Sequence, residues 1–81
     1  MAKGKTNGKY SMLGVVLKHA HANVELHKMN IRCYLDNPAG IGEHSDIMEA
    51  IQSEFDKMAV HQDRYDLVEK MMQEEQELDV L

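Results

Sequence analysis

Five histidines, His19, His21, His27, His44 and His61, are the concentrated chemical resource of this chain. Imidazole changes charge near neutral pH and is the commonest metal ligand. His19 and His21 are two residues apart, so on a helix they point to nearly opposite sides and cannot share an ion. His21 and Glu25 fall on one helical face, and His61 comes opposite them if the chain folds back about its middle. His21, Glu25 and His61 are therefore the candidate ligand set for zinc or a similar ion, doubled across a dimer. A structural reading stands beside it: His21, His61 and Gln62 form a polar layer in an apolar seam, costing stability while fixing register and partner number. His27 belongs at a seam position opposite Glu54 and Phe55, where a hydrogen bond to Glu54 would satisfy it.

Nucleophilic chemistry finds no constellation. Cys33 is the single cysteine, which excludes an internal disulfide and the paired-cysteine zinc patterns, and no histidine lies one turn from it. Ser11 and Ser45 stand where helix N-caps belong. The backbone N–H groups of Gly40, Ile41 and Gly42 could face an anion, but Glu43 and Asp46 oppose one and the Walker lysine is missing. The expectation is a protein with no catalytic residues and no cofactor, not an enzyme.

These side chains have to be positioned by helices. Asn37, Pro38, Gly40 and Gly42 crowd chain-reversing residues into one window, since proline excludes Asn37 from helical angles and glycine permits positive φ. The expected division is a flexible basic arm over 1–10, a helix over about 11–36, a turn over about 37–45, a helix over about 46–76 and a frayed acidic tail over 77–81. On the first helix Leu13, Leu17, Ala20, Val24, Ile31 and Tyr34 recur at three- and four-residue steps, with His27 filling the gap. On the second, Ile47, Ile51, Phe55, Met58, then His61 or Gln62, then Tyr65, Val68 and Met72 do the same. Lys18, Asn23, Glu25, Asn30 and Arg32 read as a solvated face of the first helix.

Folding at the turn pairs residue i with a residue near 82 minus i, so that Val24 meets Met58 and Leu17 meets Tyr65. Charge agrees with that register: through Asp36 there are six Lys and Arg against two acids, and afterwards three against twelve. The fold class is all-α, an antiparallel two-helix hairpin. A chain of 81 residues with one seam buries little surface. Val16, Met29, Cys33, Leu35, Met48, Ala59, Leu67 and Met71 widen the apolar stripes beyond that seam. Pairing into a dimeric four-helix bundle of coiled-coil type is therefore expected, with a host protein as the other way to cover them. No apolar run is long enough to span a membrane, and 1–10 lacks the apolar core of a signal peptide, so a cytoplasmic location is expected. Lys3, Lys5, Lys9 and Lys18 offer a weaker, nucleic-acid-facing reading in a chain of net charge −5.

Tyr34, Leu35, Asn37, Pro38, Gly40, Gly42, Glu43, His44, Asp46 and Ile47 form a tip that resembles one found in small helical-hairpin proteins of tailed bacteriophages, especially phages of marine bacteria. Ala39 and Ser45 stand where that tip carries Val and Pro. The resemblance covers about Leu26 to Met71. It implies production inside an infected bacterium, assigns no reaction, and is compatible with a small protein that binds and redirects a host protein. The functional expectation is a non-enzymatic interaction protein that self-associates. A nucleic-acid accessory factor and a metal-binding bundle are the alternatives.

Overall fold

A computed structural model describes the backbone of residues 7–36 and 44–80 and the side chains of 12–36 and 46–75. Two helices account for the described backbone, α1 (Asn7–Asp36) and α2 (His44–Val80), and there is no strand among those residues. The longest dimension is 58 Å, over a cross-section of 17 by 14 Å. A helix the length of α2 spans about 55 Å at ~1.5 Å per residue, so α1 lies beside α2 and does not continue it as one rod. His27 meets Glu54, while His21, earlier in α1, meets Tyr65, later in α2. The helices are therefore antiparallel. Asn37, Pro38, Gly40 and Gly42, expected to make the turn, lie outside the described residues.

Packing follows the three- and four-residue spacing. Ala20, Val24 and Ile31 of α1 and Ile47 of α2 are buried. Leu13, Leu17, Tyr34, Ile51, Met58, Tyr65, Val68 and Met72 are half-buried along the same line. Ala20 is covered completely, and its short side chain leaves α2 room to approach.

One seam position differs from expectation. Phe55 is 54% exposed, and Glu54 is buried in its place at 8%. With Glu54 included, the α2 series is Ile47, Ile51, Glu54, Met58, His61, Tyr65, with strictly alternating steps of four and three. Phe55 breaks that alternation and falls about 100° around the helix. Geometry wins over side-chain hydrophobicity because Glu54 finds hydrogen-bond donors on α1. Of His61 and Gln62, the seam takes His61; Gln62 is exposed and donates to Asp66 Oδ1 at 3.0 Å along its own helix.

Both helices also outrun their expected ends. α1 starts at Asn7, which places Ser11 inside the helix and not at its cap, and carries helix into the arm expected to be flexible. Asn belongs to the residue types favoured at helix starts, and Lys9 supports propagation, against the low helix propensity of Gly8. α2 starts at His44, one residue before Ser45, and continues past Gln76 to Val80. Glu74, Glu75, Gln76, Glu77 and Leu78 have high helix propensity with no Gly or Pro among them, so the helix persists after the apolar pattern lapses.

The exposure difference is testable by thermal melting followed by circular dichroism. Ile31→Ala should destabilise the hairpin by about 2 kcal/mol or more. Phe55→Ala should cost less than about 1 kcal/mol, as expected for a side chain outside the seam.

Candidate functional site

Midway along the seam, α1 and α2 bring a polar group together. His27 and Asn30 are three residues apart, one turn of α1, and both reach one carboxylate on α2. His27 donates through Nδ1 to Glu54 Oε1 at 2.7 Å, and Asn30 donates through Nδ2 to the same oxygen at 3.0 Å. The His27 and Glu54 side chains are only 12% and 10% exposed. The Asn30 hydrogen bond and then the His27 hydrogen bond hold the Glu54 carboxyl below its ordinary pKa, and this outweighs the opposing effect of burial. Glu54 is thus favoured as an anion despite its cover.

The free side of the His27 ring stacks on His61, with centroids 5.7 Å apart and planes inclined by 15°. Arg64 Nη1 donates to His61 Nδ1 at 3.3 Å. Burial first, then the positive charge of Arg64, with smaller contributions from His27 and His19, lower the His61 pKa. The neutral ring is favoured, with Nδ1 accepting and the proton on Nε2. Among the described residues no buried side-chain nitrogen or oxygen lacks a partner.

The candidate ligands His21, Glu25 and His61 do not form one site. The His21 ring lies 6.0 Å from that of Tyr65, tilted by 48°. Glu25 accepts from Lys28 Nζ at 3.2 Å on the exposed surface, and that contact lowers its pKa. His61 turns to His27 and Arg64 instead. Among the described residues no group of three His, Cys, Asp or Glu side chains is arranged to hold a metal ion. The polar layer is likewise not His21, His61 and Gln62 but His27, Asn30, Glu54 and His61. Asn30 was expected on the solvated face; its position one turn from His27 was the signal that it shares the acceptor.

The remaining candidates stay separate. Leu17, Lys18, His21 and Tyr65 line a shallow open groove of about 230 Å³, mostly apolar, with no converging set of polar groups. Asn23 donates to the His19 backbone carbonyl at 2.9 Å. Cys33 is a free, exposed thiol. Lys3 and Lys5, part of the nucleic-acid reading, lie outside the described residues, as do the side chains of Lys9, Ser11, His44 and Ser45. No helix among the described residues is long and apolar enough to cross a membrane. Compared with known protein families, curated proteins and solved structures, the chain matches none.

The layer can specify register and respond to pH, and two outcomes follow. A double-mutant cycle of His27→Ala and Glu54→Ala, read by denaturant unfolding, should show a coupling of about 1–3 kcal/mol; additive losses would mean that the hydrogen bond contributes nothing. Because the His61 pKa is lowered, the unfolded chain protonates first, so stability is fully present above about pH 6.5 and falls below it. Glu54 acts in the same direction at lower pH: its contribution is present above the ordinary carboxyl pKa and is lost as pH falls through the depressed value. At fixed chain concentration the melting temperature should decline between about pH 7 and pH 5, and His61→Gln should flatten that interval.

Proposed function

We propose that this hairpin is a non-enzymatic interaction protein that works by pairing with itself, two hairpins forming a dimeric bundle of four helices. The observation that carries this reading is the distribution of apolar side chains. Among the described residues four hydrophobic side chains are buried, whereas eleven large ones are exposed, including Met12 at 68%, Leu67 at 67%, Val15 at 66% and Leu35 at 62%. Isolated exposed hydrophobes are ordinary on a protein surface. Here they outnumber the core they surround, and covering each large one fully would contribute roughly 1.5–3 kcal/mol.

The polar layer supports the same reading, because it supplies register without any arrangement suited to bond-making. The likeness of the tip to tailed-phage hairpin proteins supports a setting inside an infected bacterium, with a host protein as a further partner for surface left uncovered by self-pairing. Sedimentation equilibrium at micromolar concentration should give a mass of two chains, falling toward one on dilution. A single-chain mass persisting to hundreds of micromolar would sink the proposal.

A further inference from the structure

Helix α1 carries a second stripe with the same periodicity as its seam. Met12, Val15, His19, Ala22, Leu26 and Met29 recur at alternating three- and four-residue steps, and Cys33 extends the series. All of these residues are exposed. At about 100° per residue the stripe lies about 140° around α1 from the face that meets α2. A seam-like spacing on the outer face of a helix calls for another helix.

Resting on the self-association reading, we infer that this stripe is the dimer contact, and that it packs antiparallel against α1 of a second copy. Lys18 and Glu25, which flank the stripe, are seven residues apart and about 10 Å distant along the helix, too far to pair within one chain. Antiparallel packing with two-fold symmetry sets Lys18 beside Glu25 of the second copy, and Glu25 beside its Lys18. The same register places Met12 against Met29, Val15 against Leu26, and His19 against the small Ala22, so each bulky ring has room.

Charge also decides which helix is central. α2 carries eleven carboxylates against three bases, whereas α1 has a basic excess. Contact through α1 lays the four helices side by side in the order α2, α1, α1, α2, a flatter form of the four-helix dimer than a closed bundle, and leaves the two acidic helices on the outer flanks, away from each other. Glu25, bonded to Lys28 in the single hairpin, then gains a second cation.

Sedimentation of the full chain at micromolar concentration, with circular dichroism to confirm helicity, tests the assignment. Leu26→Glu should abolish the dimer while Phe55→Glu preserves it. Lys18→Glu and Glu25→Lys should each weaken dimerisation about tenfold, and the double exchange should restore most of the loss. A nitroxide on Cys33, near one end of the stripe, should report an inter-label distance of roughly 37 Å by electron resonance, from the ~1.5 Å rise; a distance below about 20 Å would mean a parallel pair. A dimer that survives Leu26→Glu, or a double exchange without recovery, overturns this surface and leaves self-association standing. A monomeric parent chain removes self-association itself.

Discussion

Glu54 is a carboxylate held under cover between two helices, and it can be held there only where donors meet it. A slide of α2 by one heptad would keep apolar residues in the seam almost everywhere. It would also carry Glu54 opposite Ala20 or Tyr34, away from both His27 and Asn30. An unanswered buried charge costs far more than a few misplaced methyl groups. The 2.7 Å and 3.0 Å bonds to Glu54 therefore select one alignment from a set that apolar contacts alone would leave close in energy. Which residues face each other along the whole seam is set once that alignment is fixed, while the apolar period of each helix sets which faces remain outside.

The same layer explains the histidine stack. His27 donates its Nδ1 proton to Glu54 and His61 accepts at Nδ1 from Arg64, so each ring is anchored at one nitrogen while the two lie face to face. A proton added to His61 would place a cation against the Arg64 guanidinium in a partly covered site. Burial and the neighbouring positive charge both oppose it. The group that fixes register is in consequence also the place where acid acts on the seam.

Much of the architecture was legible in the sequence, because a three- and four-residue period survives almost intact through both helices and because Pro38 with two glycines interrupts it once. The pairing of His27 with Glu54 was legible too, since it follows from folding the chain about that interruption. At one position side-chain chemistry and spacing point different ways. Phe55 looks like a core residue and Glu54 does not, yet the alternation of steps runs through Glu54, and donors on a neighbouring helix cannot be seen from α2 alone. The end of α2 differs for another reason: the apolar period lapses near Gln76, while the intrinsic preference of Glu and Gln for helix carries the backbone further. The His21, Glu25 and His61 set failed on direction, because His61 turns toward α1 at His27 and the His21 ring lies against Tyr65.

The helix ends bear on assembly. α1 has no acidic side chain in its first turn, and neither helix has a basic one in its last. Favourable charge at helix termini is thus confined to Asp46 at the start of α2. A helix as long as α1, with a glycine at residue 14 and buried side chains on one side only, gains little from its own termini and depends on packing for its persistence. A single seam supplies that packing on one face. The outer stripe from Met12 to Met29 lies over the same turns, so a second helix there would support α1 on the side that α2 leaves uncovered. The segment of the hairpin least favoured by local chemistry is then the segment that assembly would order most.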